Sequence, residues 1–216
     1  MTAPAQWLRF ADVWLARSTR RTLAERFGSH EAARIVRSAV RASRAPAARP
    51  PVEPTVGGRL MVHAAALTAA LYQQLVAAGV EAAEARRETA RVTWDVYRRM
   101  GRAAWLVARL GGRGLEGRLR RAIAVFRRFP FGPPAYHMRD LRVAPGVVAF
   151  DVERCPVAEY FGKRGLGPVC VEAWCNLDYP LARAWGARLE RDTTIAGGAS
   201  RCDFRWHVAA ARAPEE

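Results

Sequence analysis

Four cysteines, Cys155, Cys170, Cys175 and Cys202, lie in the last third of a 216-residue chain whose first 154 residues contain none. Thiols clustered in this way point to a local site, and two chemistries suit them. In the first they are nucleophiles. Cys155 precedes Pro156, a residue suited to the first helical position, so its sulfur sits where backbone amides and the helix dipole favour a thiolate. Cys175 and Asp178 are three apart, which puts a thiol and a carboxylate general base on one face of a helix. Cys155, Cys175 and Asp178 are therefore the catalytic candidates. In the second chemistry Cys155, Cys175 and Cys202 hold zinc, with Glu172 one helical turn before Cys175 as fourth ligand and Cys170 or Asp178 as substitutes. The paired CxxC spacing of structural zinc sites is missing. The plain alternative is that each cysteine is a small buried hydrophobe. Asp203 follows Cys202 on a strand pattern, so it shares the opposite face with His207, while His137 belongs to an earlier strand.

Helices and short strands must position these groups. Trp7, Phe10, Ala11, Trp14 and Leu15 mark one face of a first helix that carries Arg9, Arg17, Arg20 and Arg21 on its other side and ends near Gly28. A second helix covers 30–43. Four prolines without apolar period make 44–58 a linker. Leu60, Leu67, Leu71 and Leu75 stripe a third helix, and 81–110 continues as one long or two shorter helices, with Val92, Val96, Trp105 and Leu106 expected to be buried. Leu115, Leu119, Ile123 and Phe126 stripe the next helix, which stops at Pro130. Beyond Pro133 the period changes. Strands are expected over 136–143 and 147–152 around a Pro145-Gly146 turn, then a helix from Pro156 to about Phe161 and another over 169–185. A hairpin over 188–195 and 201–209 closes through 196–200. The expected class is α+β: a helical N-terminal half packed with a small antiparallel sheet and helices in the C-terminal half. Residues 1–59 form N-terminal helices and linker, and 60–210 an α+β domain.

Half of the residues are hydrophobic and a quarter are charged, which excludes wholesale disorder, collagen and a disulfide framework. The net charge is +15, and Lys163 is the only lysine, so arginine makes up the other 34 basic residues. Codon bias accounts for that skew better than a recognition surface does, because arginine replaces lysine everywhere. The charge attracts anions all the same, yet no nucleic-acid recognition signature accompanies it, and nucleic acid is the weaker partner reading beside a small-molecule substrate. Residues 60–80 carry no formal charge, but alanine, His63, Thr68, Gln73 and Gln74 make them a buried helix rather than a membrane span. The N-terminus lacks the layout of a secretory signal, so a reducing cytoplasm is expected. Gly112, Gly114 and Gly117 fit GxGxxG, but no strand precedes them, and a helix-to-helix loop is the reading. Trp7, Phe10 and Trp14, if exposed, would suit a docking or dimerisation face, so an oligomer is one expectation.

The run Cys155-Pro156, then Cys175-Asn176-Leu177-Asp178-Tyr179, then 193–198 (TTIAGG) and Cys202-Asp203-Phe204-Arg205 resembles the L-2-amino-thiazoline-4-carboxylic acid hydrolase family over roughly 115–208. A looser likeness to 4-vinyl-reductase-type ligand-binding domains, which can carry zinc, agrees with the same α+β architecture. The resemblance implies hydrolytic opening of a small cyclic amidine-like ring, with water added at the carbon between sulfur and nitrogen to give an N-carbamoyl cysteine. It implies that Asp178 deprotonates water or holds the amidinium, that Cys175 or Cys155 attacks, and that an arginine clamps the substrate carboxylate. Tyr179, Thr194 and Asp203 are then the substrate-binding candidates. No cofactor is required on this reading. On the alternative, a ligand-binding or sensor module without turnover, zinc is held by Cys155, Glu172, Cys175 and Cys202.

Overall fold

Glycine and proline set the breaks between the helices. The computed structural model describes residues 3–111 and 113–208, with side chains from residue 15 onward. Helix α1 (Ala3–Ser43) is broken at Gly28, where φ is +74°, a value glycine adopts without strain, so two helices meet there at a kink. The side chains of Trp7, Phe10 and Trp14 lie outside the described residues. Helix α2 (Val56–Ala77) is capped by Thr55, whose Oγ1 accepts from the Gly58 amide at 2.9 Å. Helix α3 (Ala82–Arg109) is continuous and capped by the Glu81 carboxylate. Helix α4 (Gly114–Arg128) follows, so the glycine-rich segment joins two helices; Gly112 itself, like residues 209–210 at the end of the expected domain, lies outside the described residues.

The remaining elements are β1 (His137–Asp140), β2 (Val147–Arg154), α5 (Pro156–Gly162), α6 (Gly167–Ala173), α7 (Asp178–Ala184), β3 (Ala187–Glu190) and β4 (Cys202–Val208). The four strands form one antiparallel sheet in the order β1-β2-β4-β3, and the architecture is α+β. Phe150 lies opposite Phe204 and Val152 opposite Cys202. Strand alternation turns Val148, Phe150, Val152 and Trp206 into a core shared with α3, α4 and α7. On the other face Asp151 is buried beneath Arg139 at 3.0 Å and Arg205 at 3.1 Å.

Two helix expectations change. Residues 169–185 are not one helix. α6 ends at Ala173, Trp174 takes φ −132° and ψ −64°, and a 3-10 turn at Cys175–Leu177 leads into α7. Pro180 supplies the reason: it has no amide to donate and fits only a first turn, so a new helix begins just before it. Leu106 is 60% exposed rather than buried, because α3 presents Ala104 and Ala108 to its neighbours. Trp105 and Val96 are half-buried and Val92 is buried.

The C-terminal hairpin also differs. β3 stops at Glu190, and a non-strand connection with a 3-10 turn at Ile195–Gly197 runs on to Cys202. Arg191, the first residue after β3, is buried instead of continuing the ladder.

The proline segment is fastened rather than free. Glu53, buried, receives Arg154 Nη1 at 3.0 Å and Nη2 at 3.1 Å. Tyr160 Oη donates to the Ala48 carbonyl at 2.8 Å, and the Arg164 guanidinium lies 3.7 Å over the Tyr160 ring. Side chains at Gly57 and Gly58 would collide with Pro130 and Ala135, so the two glycines let α2 start against that loop. α1 packs Leu23, Ile35 and Ala39 against Leu71 and Leu75 of α2 and Val92 of α3. By length and composition α2 could cross a membrane, and half of its apolar window is buried inside this fold.

Candidate active site

One cavity of about 130 Å³ takes in all four cysteines. It lies between the inner face of the sheet, α3, α4 and the segment from α6 to α7. Cys155 enters from the residue between β2 and α5, Cys170 from α6, Cys175 from the 3-10 turn and Cys202 from the first position of β4. Asp178 opens α7. A 3-10 turn brings residues three apart into line, so Cys175 and Asp178 both reach the cavity although no single helix carries them.

Asp178 is held from two sides. Tyr97 Oη donates to its Oδ1 at 2.7 Å and Arg191 Nη1 to its Oδ2 at 3.1 Å. The same Arg191 nitrogen donates to the Cys175 carbonyl at 2.9 Å, and Nη2 approaches Asn176 Oδ1 at 3.4 Å. The guanidinium is flanked by the rings of Tyr179 and Phe204, at 5.0 and 5.2 Å. Burial raises the Asp178 pKa, and Arg191 and Tyr97 oppose that rise.

The four thiols are not equivalent. A hydrogen bond from Cys170, with help from the Arg191 charge, holds the Cys175 pKa below the ordinary thiol value against the cost of burial. Cys170, as that donor, keeps its proton well above the ordinary range. Burial pushes Cys202 up to about 11, although the Ile195 amide donates to its sulfur at 3.3 Å. Burial also raises Cys155, outweighing the Val157 and Ala158 amides at the start of α5. The amides at the start of so short a helix therefore lower the thiol less than its surroundings raise it, which weighs against Cys155 as the reactive thiol.

The candidate residues divide by place. Cys155, Cys175, Asp178 and Cys202 line the cavity; Tyr179, Thr194, Asp203 and Glu172 are not among its walls. Tyr179 Oη donates to the Arg191 carbonyl at 3.0 Å. Thr194 caps the 3-10 turn, its Oγ1 accepting from the Gly197 amide at 3.0 Å. Asp203 accepts from the Thr193 amide and hydroxyl, each at 2.6 Å. Glu172 pairs with Arg86 at 3.1 Å. Among the described residues, no three or more His, Cys, Asp or Glu side chains stand close enough together to hold a metal ion.

Several cavity residues escape sequence reasoning: Tyr97, Tyr136, Trp174, Arg191 and Trp206. Four of them carry buried hydrogen-bonding atoms that no protein group satisfies, namely Tyr136 Oη, Trp174 Nε1, Arg191 Nε and Trp206 Nε1. Each can donate, and an unsatisfied buried donor costs about 1–3 kcal/mol. Arg191 is already committed to Asp178, and Arg127, the other arginine at the cavity, pairs with Asp140 and lies 5.0 Å over the Phe150 ring. An aromatic file runs along the wall: Trp185 stacks on Trp206 at 5.7 Å, Trp206 on Phe204 at 6.4 Å and Phe204 on Phe150 at 5.1 Å, with Trp105 stacked behind Trp185 at 6.0 Å.

No curated protein and no solved structure matches the chain. A family model does, over residues 59–206, from three residues into α2 to Trp206 in β4, and so well upstream of the 115–208 segment that carries the sequence resemblance. That span includes every cavity-lining residue named above and more than half of the molecule, and the chain belongs to the L-2-amino-thiazoline-4-carboxylic acid hydrolase family.

Proposed function

We propose that this protein hydrolyses a small sulfur- and nitrogen-containing ring of the 2-aminothiazoline type, with Cys175 as nucleophile. One arrangement carries the reading: of the four thiols around one cavity, Cys175 is the one in the turn that Arg191 Nη1 clamps to Asp178, bonding the Cys175 carbonyl at 2.9 Å and the carboxylate at 3.1 Å, and burial is countered there in favour of the thiolate. A hollow of about 150 Å³ accommodates benzene, so one of this size suits a five-membered ring.

Cys175 Sγ bonds to the ring carbon between sulfur and nitrogen, and the bond from that carbon to the ring sulfur breaks. The departing sulfur takes a proton, for which the neutral thiols of Cys170 and Cys202 are sources. An isothiourea on Cys175 remains. Water adds to the same carbon, Cys175 leaves as thiolate, and the carbon becomes the carbonyl of a urea, giving an N-carbamoyl product with a free thiol. Asp178, kept in place by Tyr97 and Arg191, faces the amidinium or takes the proton of the attacking water. The unsatisfied donors of Tyr136, Trp174 and Trp206 receive the acceptor atoms of the ring substituent, a role the arginine clamp would otherwise fill.

The test is mass spectrometry of 2-aminothiazoline-4-carboxylate and its esters and amides after incubation with the protein. A product heavier by one water, carrying a new thiol, is expected, together with loss of turnover in Cys175→Ser. Turnover by Cys175→Ser at the unmodified rate would remove Cys175 from the mechanism. Failure of every thiazoline tried would remove the reaction.

A further inference from the structure

A second hollow of about 250 Å³ lies among α1, α2 and α3. Leu15, Leu60, Leu67, Leu71, Val92 and Val96 are among its walls. Thr68 Oγ1 donates to the Ala64 carbonyl and Thr93 Oγ1 to the Thr89 carbonyl, both at 2.9 Å, so these threonines offer no free donor. No charged side chain is among the described residues lining it. Phe129 lines it while 52% exposed, so the hollow reaches the surface there.

Tyr97 and Trp174 line both this hollow and the thiol cavity. Two aromatic side chains thus stand between a polar reacting centre and a larger apolar chamber. Trp174 Nε1 is one of the unsatisfied buried donors. Part of the chamber wall comes from α1, through Leu15 and Thr19, ahead of the span that matches the family.

We propose that this chamber binds a hydrocarbon tail attached to the substrate, whose ring lies in the thiol cavity while the tail passes Tyr97 and Trp174. The proposal rests on the hydrolase reading for the ring and adds to it a substrate class: amphiphilic thiazolines with an apolar substituent. An apolar hollow of about 150 Å³ already holds benzene, so the larger chamber takes a chain of several methylenes. Among the described residues its walls carry no charged side chain, and its unsatisfied donor, Trp174 Nε1, belongs to a residue shared with the thiol cavity, which selects against a second charged group in the tail.

The test uses the full chain with two kinds of probe. The first is a pair of substrates, 2-aminothiazoline-4-carboxylate and its N-octyl carboxamide; the octyl compound is expected to have a KM lower by about tenfold or more, because each buried methylene is worth roughly a fourfold gain. The second is dansylated undecanoic acid, a long acyl chain lacking the thiazoline ring, whose fluorescence should rise to saturation at one per chain and be displaced by the octyl substrate. Ala64→Phe on α2 and Val96→Phe on α3 fill the chamber from two sides. Each should weaken the dansyl probe by about tenfold while leaving turnover of the parent ring unchanged. Lack of saturable probe binding in the unmodified chain overturns the proposal. So does binding that both folded variants retain. Probe binding without turnover of any thiazoline instead strikes the hydrolase reading, and with it the link between the two chambers, while leaving the tail site standing.

Discussion

Arg191 bonds Asp178 through one nitrogen, Nη1, that also holds the Cys175 carbonyl, so the carboxylate and the loop bearing the low-pKa thiol share one cation. The Arg191 side chain is 2% exposed. Removing its partner therefore leaves a buried charge.

Asp178→Asn should cost about 3–5 kcal/mol in urea unfolding, the usual penalty for breaking a buried pair. Asp178→Leu combined with Arg191→Met should recover most of that stability, since an apolar replacement of both partners relieves the desolvation cost, yet neither variant should turn over a ring substrate. Equal destabilisation by the single and double variants would show that Arg191 does not depend on Asp178.

Iodoacetamide should modify Cys175 first. Its lowered pKa keeps thiolate present at pH values where an ordinary thiol is protonated, so its alkylation rate should fall only at more acidic pH than for a model thiol. Cys170→Ala removes the stabilising donor and should shift that profile toward alkaline pH, as followed by peptide mapping.

Two tyrosines at the cavity should respond oppositely to loss of the hydroxyl. Tyr97→Phe loses a bond to a carboxylate and should destabilise the fold by about 1–3 kcal/mol. Tyr136→Phe removes a buried hydroxyl that has no protein partner, so stability should hold or rise by about 1 kcal/mol, while KM should increase because an acceptor on the substrate loses its donor. Paired denaturation and steady-state kinetics separate the two effects.

The fold should weaken in alkali. Cys202, pushed up to about 11, keeps its proton in the native state after the unfolded chain has lost it, so stability falls as pH rises from the ordinary thiol value toward about 11. Cys155 and Cys170 shift in the same direction, whereas Cys175, lowered, contributes the opposite slope at lower pH. Thermal midpoints should drop between about pH 8 and about pH 10, and Cys202→Val should flatten the slope.

The strap of prolines should matter for stability rather than chemistry. Arg154→Ala leaves Glu53 buried without its two-pronged partner, at a cost of about 3 kcal/mol measured by urea unfolding.

The sequence makes the helices legible because their apolar periods are long and ends are marked by Gly28, Pro130 and Pro156, whereas the start of α2 at Val56 falls inside the stretch read as linker, its Thr55 cap unnoticed. The 3-10 turn at Cys175–Leu177 goes unread because the apolar period continues through it, although Pro180 marks the break. Within the site, the thiols and Asp178 stand out through residue type and clustering. Tyr97 and Arg191 do not, since Tyr97 is 81 residues from Asp178 in sequence, while Arg191 is one arginine among 34. Their roles arise only when α3 and the residue after β3 come together around α7.

Trp105, Trp185 and Trp206 stack in series, and the last of them belongs to the reaction cavity. Indoles this close couple their electronic transitions, so the molecule carries its own optical gauge. Occupation of the cavity against Trp206 perturbs the whole coupled set, and near-ultraviolet circular dichroism can follow it without any label.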